Sequence, residues 1–191
     1  MSGLNTLWLR VFQGLRAVVF HNYTEVHVKT GRQRVASAIL TVNAGATTHI
    51  GVTTGNDPVV IKSRLISQIG STRIEYSARS DMSFTGAVSG NIIPIRNPNN
   101  ITKVPIGIQM WHSVTPGTPT AATEQYLEPF PIFAAGNNSQ SRIGADTLGL
   151  EYVLNPNTSH VFSIANTGTD NATVHWWQTL YEGPLDLPLN E

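Results

Sequence analysis

The chain is expected to fold as an all-β antiparallel sandwich, jelly-roll-like, with a short N-terminal helix or arm. Three features point there. Only 13% of the 191 residues are charged, while Thr (21), Gly (16), Asn (15) and Ser (14) are abundant. Thr and Val suit pleated strands, and Gly, Asn and Pro suit the turns between them. Beyond residue 20, about nine or ten short strand candidates follow one another without an internal repeat or a long helical pattern. Disorder and coiled coil are excluded, because both need many charges and 40% of this chain is apolar.

The first segment has a different period. Leu4, Leu7, Trp8, Val11, Phe12 and Leu15 fall on one stripe of a 3.6-residue repeat, with Arg10, Gln13 and Arg16 off it. A helix is expected there, packed on its own sandwich or acting as an arm on a neighbouring copy or another protein. Two arginines supply little attraction to lipid, so no membrane role is expected. The chain divides into an arm (residues 1–20), a sandwich (21–183) and an extended tail (184–191).

Strands follow in order. Glu25-Val26-His27-Val28-Lys29 alternates, as do Ala46 to Val52 and Arg73-Ile74-Glu75-Tyr76. Val35 to Val42 and Pro58 to Ile61 are apolar enough to be core strands, separated by the turn residues Asn43-Ala44-Gly45 and Thr54-Gly55-Asn56-Asp57. Gly86 to Gly90 reads as a turn before Asn91 to Ile95, and Val104 to His112 as a strand whose Pro105 suggests an edge or a strand start. Residues 113 to 123 are the longest loop signal. Pro129 and Pro131 argue against a central strand over Glu124 to Phe133, and Ala134 to Arg142 reads as a loop.

The last strands are clear: Leu150 to Leu154, Val161 to Ala165, and Thr173 to Glu182. In the final strand Trp176 and Trp177 must face opposite ways, so one belongs to the core and the other is covered by something or exposed. The tail is too rich in proline for a central strand, yet Leu185, Leu187 and Leu189 alternate. It is expected to lay its leucines on a surface, its own or a neighbour's.

Formal charge sums to zero, so no global basic field holds nucleic acid. The zero hides a split, with residues 1–103 at +7 and residues 104–191 at −7. If the halves form separate faces the molecule is a strong dipole; if their strands interleave, the charges mix. There is no cysteine, which excludes disulfides, thiolate metal sites and Cys nucleophiles. No apolar run approaches the length of a membrane span, and no basic n-region precedes an apolar stretch, so neither a span nor a secretory signal is expected.

No catalytic constellation emerges. The histidines are scattered singly, and His21, Glu25 and His27, the nearest approach to a metal set, lack the pattern of a cupin. Gly-x-Ser-x-Gly, Walker and Gly-x-Gly-x-x-Gly motifs are absent. Asp81, Asp146 and Asp170 read as turn or cap residues. No enzyme, cofactor or metal is expected.

The stretch Glu151-Tyr152-Val153-Leu154-Asn155-Pro156-Asn157-Thr158-Ser159-His160-Val161-Phe162-Ser163-Ile164-Ala165-Asn166, followed after a polar loop by Trp176-Trp177-Gln178-Thr179-Leu180-Tyr181-Glu182, resembles the end of a group of small tailed-bacteriophage structural proteins. Gly90 to Asn97 is similar in style, and residues 1–20 lie outside the resemblance. The resemblance implies a virion component made in the host cytoplasm, a capsid decoration or cement protein on the capsid surface. Such a protein is often a homotrimer, bound to the major capsid protein or other virion proteins. Under that reading the grip on neighbours comes from Leu4, Leu7, Trp8, Val11, Phe12 and Leu15 in the arm and from Leu185, Leu187 and Leu189 in the tail. The alternative is a phage tail, baseplate or fibre module that binds a host glycan through an exposed aromatic ring.

Overall fold

A computed structural model describes residues 8–11, 18–21, 32–69, 72–97, 106–133, 140–144 and 152–183. The strands are β1 (Trp8–Val11), β2 (Val18–His21), β3 (Gln33–Val42), β4 (Thr47–Thr53), β5 (Val59–Ile69), β6 (Arg73–Ser80), β7 (Phe84–Thr85), β8 (Ile95–Arg96), β9 (Gln109–His112), β10 (Thr115–Pro116), β11 (Glu124–Phe133), β12 (Gln140–Gly144), β13 (Tyr152–Leu154), β14 (Ser159–Asn166) and β15 (Ala172–Glu182). One 3-10 turn, Ser89–Asn91, precedes β8.

Two antiparallel sheets carry the fold. The first runs β12-β5-β15-β3-β8, with β13 also on the outer edge of β5, and the second runs β11-β6-β14-β4-β9. The eight principal strands in chain order are β3, β4, β5, β6, β11, β12, β14 and β15. One sheet takes the first, eighth, third and sixth, and the other takes the second, seventh, fourth and fifth. That order is a jelly roll, in which successive strands alternate between sheets except at one return. The expected sandwich is present. Each sheet draws strands from both halves of the chain, so the charge split does not divide the molecule into two faces.

The core is the space between the sheets. Leu40 and Val42 of β3, Ile61 and Ile66 of β5, and Val174, Trp176 and Leu180 of β15 meet Ile50 and Val52 of β4, Tyr76 of β6, and Phe162 and Ile164 of β14. Phe162 bridges the layers, with its ring centroid 6.2 Å from that of Tyr76 on its own sheet and 6.2 Å from that of Trp176 on the other. Gln178 Nε2 also crosses, donating to the Tyr76 hydroxyl at 3.4 Å.

Sheet edges are closed by irregular pieces. The connection from β6 to β11, residues 81–123, lays β8 on β3 and β9 on β4, so it runs along one side of both sheets. Ile93 N–H donates to the Met110 carbonyl at 2.9 Å and ties its two limbs together. On the opposite side β11 is the edge strand of its sheet, with register shifts against β6. Pro129 and Pro131 have no N–H to offer a further strand, which is why they are tolerated there.

Several expectations are corrected. Trp8–Val11 is a strand, not helix: it pairs antiparallel with β2, Trp8 opposite His21 and Val11 opposite Val18. Over four residues the apolar positions fit either period, and Val18-Val19-Phe20 supplies a β-branched and aromatic partner. Gln140 to Arg142, expected as the end of a loop, open the strand Gln140–Gly144, which pairs in unbroken register with Leu65–Ile69 because the long β5 leaves an edge to be filled. In the expected strand Val104 to His112 only Gln109–His112 is strand among the described residues. The expected strand at Glu25 to Lys29 lies outside the described residues.

The opposite facing of the two adjacent tryptophans is testable. Trp176 is 1% exposed and belongs to the core, whereas Trp177 is partly buried on the outer side of the same strand. Trp176→Ala should lower the unfolding free energy by about 3–5 kcal/mol in urea titrations. Trp177→Ala should cost less than half of that.

Candidate docking surface

The two outer faces of the sandwich have different endings. On the second sheet, Arg73 Nη2 and Glu75 Oε1 form an ion pair at 2.6 Å, and His49 Nδ1 shares a hydrogen bond with Ser163 Oγ at 2.9 Å. Phe84 from the long connection lies over Gly51, so close that a Cβ there would stand 2.5 Å from its ring. Phe84 in turn packs on Trp111, with centroids 5.9 Å apart. Among the described side chains of this face, Arg73, Glu75, His49 and Ser163 are polar and the close approach at Gly51 is covered by Phe84.

The outer face of the first sheet is built otherwise. Its central rows, strand by strand across β3, β15 and β5, read Ser37–Trp177–Leu65, Ile39–His175–Ser67 and Thr41–Thr173–Ile69. None of these nine residues carries a carboxylate, ammonium or guanidinium group. Ile39 is 70% exposed and Ile69 41% exposed, with Trp177 and Leu65 partly buried beside them. An antiparallel sheet with one wet face normally alternates apolar-in and polar-out. Here the outer side of β3 and β5 mixes Ser37, Thr41 and Ser67 with the apolar Ile39, Leu65 and Ile69, and described elements cover only the inner side.

The polar groups inside the fold serve as fastenings. Glu182, at the end of β15, accepts from the N–H groups of Gly107 (2.6 Å) and Ile108 (2.9 Å) through Oε1. Its Oε2 lies 3.9 Å from Nε of the fully buried Arg34. Burial pulls the Arg34 pKa down from its usual value, and the Glu182 charge opposes that pull. Gly107 also rests against Gly55, where a Cβ would stand 2.7 Å from the Gly107 Cα. The last strand thereby holds the long connection against the end of the first sheet.

The motif that carries the resemblance does similar work. Asn157 adopts φ 55° in the turn before β14. Thr54 Oγ1 and Thr158 Oγ1 both donate to the Asn155 carbonyl, at 2.6 and 2.7 Å. Asn166, closing β14, donates to the carbonyls of Val42 (3.0 Å) and Asp170 (2.7 Å) and accepts from Thr72 Oγ1 (2.8 Å). These residues join strand ends and hairpins.

Among the described residues no group of three or more His, Cys, Asp or Glu could hold a metal. The His49–Ser163 pair has no orienting carboxylate among its described contacts, so it is not arranged as a nucleophile and its base. Burial lowers the His49 pKa and favours the neutral ring. Beside it lies an open cleft of about 300 Å³ lined by the polar groups of Thr41, Asn43, Thr47, Thr48 and Ser113. Of the residues expected to grip neighbours, Trp8 and Val11 fall in β1. Leu4, Leu7, Phe12, Leu15, Leu185, Leu187 and Leu189 lie outside the described residues. Reasoning from sequence does not single out Ile39 or Ile69: Val35 to Val42 reads only as a core strand, and which of its residues face outward is decided by its pairing with β15.

No family model matches the chain, and no curated protein matches it. Among solved structures, it is similar to the 2.6 Å structure of infectious bursal virus derived T=1 particles. That likeness has 10% identity and a TM-score of 0.21 and covers 94% of this chain and 46% of that one. It is also similar to an infectious bursal disease virus VP2 subviral particle, at 11% identity and TM-score 0.18, covering 94% of this chain and 47% of that one. The chain thus spans about half the length of these matches. With such TM-scores these likenesses contribute nothing to the functional reading, which rests on strand order and on the sheet faces.

His160 of β14 gives the fold a pH dependence. It is fully buried, with Nε2 2.7 Å from Thr158 Oγ1. Burial pushes its pKa down to about 4, against smaller upward pulls from the Asp81 charge and the Asn155 backbone. Between about pH 4 and 6.5 the unfolded chain therefore binds the proton that the folded chain refuses. Stability should be full above pH 6.5 and fall by about 3 kcal/mol as pH drops to 4. Unfolding midpoints measured across that range should show the slope in the native chain and lose most of it in His160→Gln.

Proposed function

We propose that the chain is a non-enzymatic virion structural protein that binds and stabilises a capsid shell as a decoration or cement protein, acting through subunit interfaces. The jelly roll supplies a rigid body whose backbone groups are paired in two sheets. The observation that carries the reading is the uncharged outer face around Ile39, Trp177 and Ile69. An outer face normally carries charged side chains, and here the nine central residues of β3, β15 and β5 carry none while Ile39 and Ile69 are exposed among them, which suits a surface that is covered. The same proposal keeps Leu4, Leu7, Trp8, Val11, Phe12 and Leu15 as candidate contacts, though not as one stripe, since Trp8 and Val11 stand three residues apart in strand β1. The resemblance of residues 151–182 to small tailed-phage proteins supports placing the chain on the outside of a virion, in a homotrimeric assembly.

Ring exposure gives a glycan-binding tail or fibre module less support. Trp176 is in the core and Trp111 packs on Phe84 with the rings tilted by 53°, which leaves the partly buried Trp177 of the outer face as the ring such a reading would need.

Co-sedimentation with empty shells of the virus that encodes the chain tests the proposal. Binding should be saturable. Ile39→Asp should weaken it at least tenfold without lowering thermal stability, because Ile39 is 70% exposed. Absence of binding, or binding indifferent to Ile39→Asp, would contradict the assignment.

A further inference from the structure

The connection along one side of the sandwich closes only part of the β3 edge. β8 pairs with β3 at Val35 and Ala36. The chain before β8 leads away at Pro94, since Ile93 N–H donates to the Met110 carbonyl and Ile92 bridges Trp111. It thereby serves the second sheet, whose own edge stays closed beyond β9, where Val114 N–H donates to the His49 carbonyl at 3.3 Å. No described residue pairs with the rest of β3 on that side.

The pairing with β15 fixes which backbone groups are left. Register is unbroken from Gln33–Tyr181 to Val42–Ala172, and next in line Glu182 N–H donates to the Arg32 carbonyl at 3.2 Å. Hydrogen-bonded pairs recur at every second residue of an antiparallel ladder. Arg34, Ala36, Ala38, Leu40 and Val42 therefore aim N–H and C=O at β15. Ser37, Ile39 and Thr41 aim theirs the other way, about 7 Å apart along the strand. All three residues are exposed, and no hydrogen bond among the described residues uses these outward groups. Natural edges are guarded by proline or charge, as Pro129 and Pro131 guard β11. Ser37-Ala38-Ile39-Leu40-Thr41 carries neither.

We infer that the edge from Ser37 to Thr41 receives an extended, uncharged segment of a partner protein, added to the first sheet as a further strand. The inference goes beyond the virion reading by naming a mode of recognition. N–H and C=O groups repeating at every second residue are matched by the main chain of a β-strand. The added residue opposite Ile39 would share its outer face and cover a side chain now 70% exposed. The residues opposite Ala38 and Leu40 would turn inward. Where the edge ends it borders the open cleft of Thr41, Val42, Thr48, His49 and Val114, whose lining holds no carboxylate, ammonium or guanidinium group. A charged segment would find no counter-charge there.

The same edge of a second copy does not fit. Two copies using all the outward groups about a two-fold axis would pair Ile39 with Ile39 and Ser37 with Thr41. That alignment sets Val42 of each copy opposite Ala36 of the other, a place Ile95 already holds. A segment free to leave the plane of the sheet at both ends avoids the collision.

NMR on the isolated chain tests both the edge and its occupant. Amides of Ser37, Ile39 and Thr41 should exchange with solvent at least about a hundredfold faster than those of Ala38 and Leu40. Equal protection would overturn the inference, because the edge would then be paired within the chain. The probe for the occupant is a synthetic peptide of alternating threonine and valine between two lysines, acetylated and amidated. At millimolar concentration it should shift the Ser37, Ile39 and Thr41 amide resonances and slow their exchange several-fold. The same peptide N-methylated throughout should do neither. Ile39→Pro removes an outward N–H without touching the β15 ladder, so it should keep the thermal midpoint and lose the response. Absence of any response in the native chain, or an equal response to the methylated peptide, would overturn the inference. So would a dimer of the native chain that Ile39→Pro dissolves, which would give the edge to a second copy. No readout involves shells, so this inference and the virion reading can fail separately.

Discussion

Everything in this molecule is arranged around one strand that is hydrogen-bonded along both edges. β15 pairs with β3 on one side and β5 on the other for nearly its full length. A strand so placed has two faces and no free edge, and each face must find a cover or meet water. The inner face meets the second sheet through Trp176 and Phe162. The end of the strand holds the long connection through Glu182, and the outer face is left with two environments in succession.

The buried Arg34 and Glu182 show what such a strand costs. Burying a carboxylate and a guanidinium is expensive unless their partners are close. Here Glu182 gains two backbone N–H donors as well as Arg34, and the reward is geometric. The segment carrying Gly107 and Ile108 is fixed against the end of β15, which in turn seats β9 on β4 and covers that sheet's edge. Short or proline-bearing edge strands discourage pairing with further strands.

Much of the architecture was legible in the residues. The alternation around His49 to Val52 and the turn Asn155-Pro156-Asn157 placed strands correctly, and Pro129 and Pro131 kept Glu124 to Phe133 out of the centre of a sheet without marking it as the strand it is, because each acts through local backbone chemistry. Trp8–Val11 and Gln140 to Arg142 were misjudged because both belong to short strands that form by virtue of their partners. The open face was illegible for a related reason. Ile39 and Leu40 look alike in sequence, and only the pairing of β3 with β15 decides which one faces the core. Asn166 and Glu182 carried no signal of their roles, since their partners are distant in sequence.

The central proposal is that the outer face around Ile39, His175 and Ile69, where β3, β15 and β5 carry no carboxylate, ammonium or guanidinium group, is covered by a partner in an assembled particle. Hydroxyl-radical footprinting, read by mass spectrometry on the free chain and on the chain bound to shells, tests it most directly. Ile39, His175 and Ile69 should be labelled readily in the free chain and protected at least several-fold in the bound one, while Thr47 on the opposite sheet keeps its labelling. Equal labelling of Ile39 in both states, with the chain demonstrably bound, would contradict the claim.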